Sequence, residues 1–175
     1  GRIQRLINAA KATIEGIEIE TKINLTDQFS IEGSLGYTDA GFDEFLGFDA
    51  DGVRGYDPVT DPAAAAALKF ERVPELTYNI MANYFQPLSN GAELDFRISY
   101  SYTDDFTNDA LGTRAIITDS YGLLDASVSY TFAGSGLKLT VFGKNITDED
   151  YHDFALDNAL TSLTWGGVPD TYGLR

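Results

Sequence analysis

Apolar and polar residues alternate over several stretches of the chain, which is the pattern of β-strands with one apolar and one polar face. The clearest stretch, residues 121–151, predicts two strands joined by the turn Ala-Gly-Ser-Gly at residues 133–136. Its predicted apolar face consists of Leu124, Ala126, Val128, Tyr130, Phe132, Leu137, Leu139 and Val141. Its predicted polar face consists of Asp125, Ser127, Ser129, Thr131, Lys138, Thr140, Phe142 and Lys144. We therefore expect a hairpin whose two faces meet different surroundings.

The same alternation predicts further strands at about residues 12–25, 29–38, 76–86 and 93–102, and from residue 171 onwards. Ile14 is out of phase with Ile17, which predicts a β-bulge near Gly16. Charges of both signs fall at the strand centres on the predicted polar face: Glu18, Glu20, Lys22, Glu32, Glu93, Asp95, Arg97, Asp125, Lys138 and Lys144.

The connections between the predicted strands alternate between short and long. The short ones are residues 26–28, 87–92 and 133–136, and the long ones are residues 40–75, 103–120 and 147–168. In an antiparallel up-and-down meander, this alternation places every tight turn at one end of the sheet and every long loop at the other. A short helix is expected inside the first long loop, at residues 63–70, because good helix formers follow Asp61-Pro62.

Aromatic residues fall near both ends of the predicted strands. Near the short turns they are Phe29, Tyr84, Phe85, Tyr130 and Phe132, and near the long loops they are Tyr37, Tyr78, Tyr100, Tyr102, Tyr121 and Tyr172. Two such belts are typical of outer-membrane β-barrels, which also have short turns on one side only. A soluble β-sandwich is the alternative, but it would concentrate aromatic residues at mid-strand. The pattern favours a barrel whose polar face lines a wet lumen or contacts a polar plug.

Composition and charge exclude several classes of protein. The chain has 175 residues, of which 43% are hydrophobic and 22% charged, so it is compatible with a folded domain. A net charge of −15 with only 12 Lys and Arg argues against a nucleic-acid partner. The absence of cysteine excludes disulfides and thiolate metal sites. No run approaches the roughly 20 apolar residues of a membrane helix, so this chain would cross a bilayer with strands.

Few residues have the chemistry of a site, and we expect neither an enzyme nor a cofactor. His152 is the single histidine and lies among loop carboxylates, where a solvated residue is far commoner than a catalytic one. Asp49, Asp51 and Asp57 are weak candidates for calcium ligands, because their spacing resembles the start of a calcium loop. The bidentate Glu of such a loop is missing, and Arg54 adds a positive charge, so a plain acidic loop is favoured.

Three stretches also carry a resemblance to a known family. Residues 8–20 (NAAKATIEGIEIE), 121–126 (YGLLDA) and 143–151 (GKNITDEDY) resemble, in this order, the C-terminal barrel repeats of TonB-dependent outer-membrane receptors. Residues 169–173 (PDTYG) resemble the entry to the last strand of that family. The resemblance covers essentially the whole chain.

The resemblance implies an all-β, antiparallel, 22-stranded barrel in the bacterial outer membrane, of which residues 1–175 would be a C-terminal part of about seven strands. It also implies an N-terminal plug domain and a TonB box, neither of which is visible in this sequence. Family members usually end their last strand on an aromatic residue, whereas this sequence ends at Arg175. Because it also opens at Gly1 without a signal peptide, we expect a piece truncated at both ends.

The function that the resemblance implies is uptake of a scarce nutrient complex, such as a ferric siderophore, cobalamin or an oligosaccharide. Transport would be driven by the inner-membrane TonB complex acting through the plug, and the other partners would be outer-membrane lipid and the small nutrient. Ligand contacts would lie on the long loops and at inward strand ends, but the sequence does not identify them. A passive porin or structural barrel is the second hypothesis, and a soluble β-sandwich binding module is the third.

Overall fold

The computed structural model describes residues 10–45, 47–48, 55–56, 68–108, 117–158, 161–166 and 171–174. All regular secondary structure in these residues is β, and no helix among them has the length and hydropathy to span a membrane. The strands are β1 (Ala10–Asn24), β2 (Phe29–Phe45), β3 (Gly47–Phe48), β4 (Gly55–Tyr56), β5 (Leu76–Pro87), β6 (Glu93–Thr103), β7 (Phe106–Thr107), β8 (Ile117–Thr118), β9 (Tyr121–Thr131), β10 (Lys138–Lys144), β11 (His152–Asn158), β12 (Thr161–Gly166) and β13 (Thr171–Leu174).

The long strands form one antiparallel sheet of seven strands in the order β1-β2-β5-β6-β9-β10-β13. Each strand pairs with the next long strand along the chain, so the predicted all-β, up-and-down meander is confirmed. Three short strand pairs, β3–β4, β7–β8 and β11–β12, lie within the long connections. The alternation of the sequence did not predict these pairs, because two of them have strands of only two residues.

Backbone hydrogen bonds close the three tight turns. Leu25 N donates to Phe29 O at 2.9 Å, Leu88 N to Ala92 O at 2.8 Å, and Phe132 N to Leu137 O at 2.8 Å. Glycines with positive φ make the last two reversals possible, at Gly91, Gly134 and Gly136. Since neighbouring strands are antiparallel, all three turns lie at one end of the sheet and the three long connections at the other, as predicted.

The strand register keeps residues of one kind on one face across the whole sheet. One row of directly paired residues runs through Ile31, Ala82, Ile98 and Ala126. The adjacent row on the opposite face runs through Lys22, Glu32, Met81, Ser99 and Asp125. The two faces of the predicted hairpin therefore continue over all seven strands.

No second layer covers the apolar face in the described part of the chain. Ile80 is 52% exposed and Ile98 is 48% exposed, although both lie on interior strands of the sheet. In a β-sandwich these side chains would face the inner side of another sheet and would be buried. Large contiguous apolar surfaces of this kind mark contact with a partner or a membrane.

The aromatic side chains on the apolar face form two groups, one at each end of the sheet. Near the tight turns, Tyr84 lies beside Phe96 with ring centroids 6.1 Å apart, and Tyr130 packs edge-on against Phe132 at 4.8 Å. Near the long loops, Tyr78 stacks on Tyr102 at 5.0 Å. Phe29, Tyr37, Tyr100 and Tyr172 share this face by register, as predicted.

Two predicted belt residues lie at the expected ends but on the polar face. Phe85 pairs with Asp95, and Tyr121 pairs with Thr103. The reason is the period of two along a strand, since Phe85 directly follows the outward-facing Tyr84. These two residues therefore do not belong to the aromatic belts of the apolar face.

The bulge predicted near Gly16 is wrong, because the pairing of β1 with β2 is unbroken from Ala12 to Asn24. A Cβ at Gly16 would lie 2.5 Å from Tyr37 O, so the glycine permits a close approach of β2 rather than a bulge. The register shifts instead between Lys11 and Ala12.

The first long connection also begins later than predicted, since β2 extends beyond residue 40 to Phe45. The predicted helix at residues 63–70 falls largely outside the described residues, and residues 68–70 have no regular structure.

A tight turn after β10 is built around Asn145, which is 3% exposed and has a φ of 48°. Its backbone N donates to Asp125 Oδ1 at 2.9 Å, and its side-chain Oδ1 accepts from Glu149 N at 2.9 Å. Its Nδ2 donates in turn to Glu149 O at 2.9 Å. Asn adopts the left-handed region more readily than most residues, so the position suits both its backbone and its amide.

Replacing Asn145 with Ala should lower the free energy of unfolding by about 2–3 kcal/mol, because two hydrogen bonds at a buried site are lost and Ala takes a positive φ. Asn145→Asp should lie between the wild type and the Ala variant, since it keeps the acceptor and loses the donor. Denaturant unfolding of the intact protein in detergent or lipid measures both values.

Asn90→Ala is the matched control, because Asn90 is exposed and its Oδ1 accepts one hydrogen bond, from Ala92 N at 3.0 Å. This change should cost only about 0.5–1 kcal/mol. Equal losses at Asn90 and Asn145 would contradict the structural role assigned to the Asn145 amide.

Candidate functional site on the polar face

The polar face of the seven-stranded sheet carries all ten charged residues that the sequence analysis assigned to it. Alternation places them there, because the position of each differs by an even number from the positions of the other polar-face residues of its strand. The register then brings charges from different strands into neighbouring rows. We take this face as the candidate functional site.

Two ion pairs join strands across the polar face. Lys22 on β1 lies opposite Glu32 on β2, with Nζ and Oε1 2.6 Å apart. Lys138 on β10 reaches over β9 to Asp95 on β6, with Nζ and Oδ2 3.3 Å apart. All four side chains are at least one-third exposed, so water screens these pairs and each contributes little to stability. Their effect is to cancel charge locally on the polar face, which we also call the wall.

Arg97 lies near the centre of this face and has a different environment. Its Nε donates to Asn83 Oδ1 at 2.9 Å, and Asn83 is its directly paired residue on β5. On its other side Arg97 is paired with Ser127 of β9. One row nearer the tight turns, the hydroxyls of Ser129 and Thr140 share a hydrogen bond at 2.9 Å.

The sheet curves around its polar face. A cavity of about 770 Å³ near the tight turns is lined mainly by polar-face residues, and its lining comes from six successive long strands, which a flat sheet could not bring to one space. Residues of this lining include Lys22, Asn24, Ser30, Glu32, Asn83, Phe85, Asp95, Arg97, Ser127, Ser129, Lys138 and Thr140. The polar face is therefore the concave side, and the apolar face is the convex side.

The bases of the long loops contain most of the buried side chains of the described chain. Leu68 and Phe106 are buried there, together with Thr107 and Thr118. Arg72 N donates to Thr107 O at 2.8 Å, which joins the loop before β5 to the loop after β6. β8 also contacts β11, so the third long loop touches the second. The described parts of these loops thus form a packed rim at the long-loop end of the sheet.

Stacked aromatic rings attach this rim to the sheet. Phe42 of β2 stacks on Phe70 with centroids 4.3 Å apart. Tyr121, at the start of β9 on the polar face, stacks on Tyr151 at 4.3 Å. Both contacts hold a loop residue against a strand end, so they help to orient the loops relative to the wall.

The remaining candidates from the sequence are the weak calcium ligands and His152. Asp49, Asp51 and Asp57 lie outside the described residues, so the weak calcium site is an untested prediction. Within the described ranges, no group of three or more His, Asp or Glu side chains could hold a metal ion. His152 is exposed at the start of β11, opposite Gly166.

Sequence alone does not identify Asn83 or Asn145 as important residues. Asn83 matters because the register sets it beside Arg97, and a single strand contains no information on its neighbour. Asn145 lies in the stretch 143–151 whose resemblance to a family was noted, which is the one signal that singled it out.

Comparison with known proteins agrees with this architecture. A family model described as TonB dependent receptor-like, beta-barrel, matches residues 1–146. The ferric yersiniabactin uptake receptor FyuA from Yersinia pestis has a TM-score of 0.74 at 18% sequence identity, covering 95% of this chain and 23% of that one. The siderophore receptor PiuA from Acinetobacter baumannii has a TM-score of 0.73 at 16% identity, covering 95% of this chain and 22% of that one.

BauA, the ferric preacinetobactin receptor from Acinetobacter baumannii, has a TM-score of 0.64 at 17% identity and covers 96% of this chain and 22% of its own. The chain therefore spans less than a quarter of the length of these structures. Their low sequence identity makes them evidence for the shared fold, whereas the family model matches most of the chain directly. This chain belongs to the family of TonB-dependent receptor-like β-barrels.

Proposed function

We propose that the protein carrying this chain is a bacterial outer-membrane receptor that takes up a scarce nutrient complex by TonB-coupled active transport. The single observation that carries the proposal is the continuous apolar convex face opposite a charged concave face, with every tight turn at one end. Lipid on one side and a polar lumen on the other account for both faces. On this proposal no bond is made or broken, so the protein is not an enzyme.

Strand length supports a membrane location. β5, β6 and β9 have 12, 11 and 11 residues, and a tilted strand needs about 9–11 residues to cross the hydrocarbon core. The aromatic groups at both ends of the convex face would then lie at the two membrane–water interfaces. The long loops would be extracellular, and the tight turns would be periplasmic.

The unpaired edges of the sheet support a larger barrel. In the described part, β1 pairs only with β2, and β13 pairs only with β10. Unpaired backbone groups in hydrocarbon cost several kcal/mol each, so further strands must cover these edges in a membrane. We propose a 22-stranded barrel, as the family resemblance implies, with residues 1–175 as its C-terminal part. A plug and a TonB box would belong to other parts of the protein.

A ferric siderophore is the cargo we put first, because the three structures named above are described as a ferric yersiniabactin uptake receptor, a siderophore receptor and a ferric preacinetobactin receptor. Cobalamin and oligosaccharides remain the alternatives within the same function. The packed rim of long loops would make the outer contacts with the cargo, and the concave wall would make the inner ones.

Replacing Ile98 with Arg should destabilise the protein in lipid by about 2–4 kcal/mol, because a charge would enter the hydrocarbon at mid-strand. Ser99→Arg, one residue further along β6, should cost less than about 1 kcal/mol, since it points to the polar face near Asp125. Unfolding in phospholipid vesicles measures both. Equal costs at the two positions would argue against lipid on the convex face.

Deleting residues 46–67, which lie between the end of β2 and Leu68, should abolish uptake while the barrel still folds. The physical reason is that the deletion removes loop contacts and leaves every strand of the seven-stranded sheet intact. Growth of a deletion strain on ferric siderophores as the sole iron source, complemented with either form of the gene, measures uptake. Heat-sensitive migration of the purified barrel measures folding.

Single-channel conductance of the purified intact protein separates this proposal from a passive porin. A receptor closed by a plug should show no steady open-pore current. A steady current would favour the porin. If the deletion strain also grew on ferric siderophores as well as the complemented strain does, receptor function would be contradicted.

A further inference from the structure

The pairing of β13 with β10 is weakly constrained by the chain that joins the two strands. In the described part, four pairs of residues connect them, from Val141 opposite Leu174 to Lys144 opposite Thr171. The connection spans residues 145–170 and contains the hairpin β11–β12. A tight turn fixes the register of its hairpin, whereas a connection of this length leaves the register open. The register of β13 must therefore come from side chains that pack between the two strands.

Two dipeptides lie opposite each other in this pairing, and each places an aromatic ring over a glycine. Phe142 is paired with Gly173, and Gly143 is paired with Tyr172. A Cβ at Gly173 would lie 2.5 Å from Phe142 Cζ, and a Cβ at Gly143 would lie 2.9 Å from Tyr172 Cδ1. Each ring thus occupies the space that a side chain would take on the opposite strand. We call these four residues the aromatic–glycine quartet.

The quartet acts on both faces of the sheet. Phe142 lies over Gly173 on the concave face, and Tyr172 lies over Gly143 on the convex face, because neighbouring residues of a strand point in opposite directions. Gly143 is buried, and Ile146 Cγ2 would also lie 2.6 Å from a Cβ at this position. A glycine inside a strand weakens it by lacking a side chain, and a ring from the next strand supplies the missing contact.

The observed register gives both rings a glycine, and the neighbouring registers give neither ring one. A slip of one residue would exchange the two faces of β13. A slip of two residues would keep the faces but set Tyr172 opposite Asn145 in one direction or Val141 in the other. Gly173 would then no longer face a ring. The quartet therefore distinguishes the observed register from each of these slips.

The pairing of β6 with β9 also crosses a long connection and has the same kind of contact. Gly122 is paired with Tyr102, and a Cβ at Gly122 would overlap the ring of Tyr100, which lies two residues away on the same face. Within the seven-stranded sheet, no ring lies this close to a glycine between strands that a tight turn joins. The third pairing across a long connection, β2–β5, has nine pairs of residues and no such contact. Rings cover glycines only where no tight turn sets the register.

We propose that the aromatic–glycine quartet sets the register of β13 on β10 and thereby the stagger with which the barrel closes. In a closed barrel, strand number and stagger together determine strand tilt and diameter. The edge of β13 that is unpaired in the described part must pair with a further strand in a membrane. An error of register at β13 would therefore be passed on to that pairing. The inference goes beyond the proposed function, because it concerns assembly of the barrel and does not depend on the solute.

Disulfide formation between engineered cysteines measures the register in the intact protein, refolded in phospholipid vesicles. Residues 1–175 contain no cysteine, so an engineered pair has no competitor within this chain. Val141→Cys with Leu174→Cys reports the observed register, because these residues are directly paired. Leu139→Cys with Leu174→Cys reports a slip of two residues. The ratio of the first yield to the second is the quantity to compare between variants.

Phe142→Gly should lower this ratio by about 2-fold to 10-fold, the range expected for the loss of one aromatic contact. Gly173→Val should lower it by a similar factor, because the new side chain takes the space of the Phe142 ring in the observed register alone. Phe142→Gly combined with Gly173→Phe exchanges the two residues and restores one ring over one glycine. This exchange variant should recover most of the ratio, which a general loss of packing would not do.

Phe96→Gly is the matched control. Phe96 is paired with Tyr84 in the hairpin β5–β6, which a tight turn closes. Its reporter is Ala82→Cys with Ile98→Cys, a directly paired couple on the same face. Disulfide yield at this reporter should stay within about 2-fold of its value with Phe96 in place, because the turn holds the register without the ring.

A crosslinking ratio that stays at the wild-type value in both Phe142→Gly and Gly173→Val would overturn the inference. An exchange variant that recovers nothing would overturn it too, and so would an equal loss at the Phe96→Gly control. Heat-sensitive migration shows which variants fold. If Phe142→Gly does not fold, Phe142→Leu takes its place, because Leu keeps an apolar side chain and loses the ring.

Discussion

The structure depends on a strand register that stays in phase across seven paired strands. Because side chains alternate along a strand, a slip of one residue anywhere would exchange the two faces beyond that point. The pairing of Ile31, Ala82, Ile98 and Ala126 in one row shows that no such slip occurs in the interior of the sheet. The apolar convex face and the charged concave face both follow from this one constraint.

Curvature gives the two faces their different roles. A single cavity reaches residues of six long strands, so the concave side gathers polar groups into a shared space. The convex side spreads its aliphatic and aromatic side chains apart, which suits contact with small flexible molecules such as lipids better than contact with another sheet. The exposure of Ile80 and Ile98 on interior strands fits that environment.

The sequence predicted the parts of the fold that depend on alternation within one strand. It did not predict features that depend on pairing between neighbouring strands. The seven long strands, their faces and the alternation of turns were all readable from single stretches. The bulge predicted near Gly16 was wrong. An apolar residue out of phase, such as Ile14, can mark a bulge or can lie on the polar face of an unbroken strand, and the continuous pairing of β1 with β2 shows the second. Likewise, Arg97 is one of ten charges predicted on the polar face, and its pairing with Asn83 of the neighbouring strand depends on the cross-strand register.

Burial differs between the rim of long loops and the polar face of the sheet, and we expect the rim to be the more tightly packed of the two. Leu68, Phe106 and Thr118 are packed where the long loops meet, and the link from Arg72 N to Thr107 O joins two of those loops through the backbone. A movement of one of these two loops would therefore strain the backbone hydrogen bond that joins it to the other. The charges of the wall are exposed and screened, so they can exchange partners without loss of the fold. Under the proposed function, a solute would thus meet coupled loops first and an adaptable polar surface afterwards.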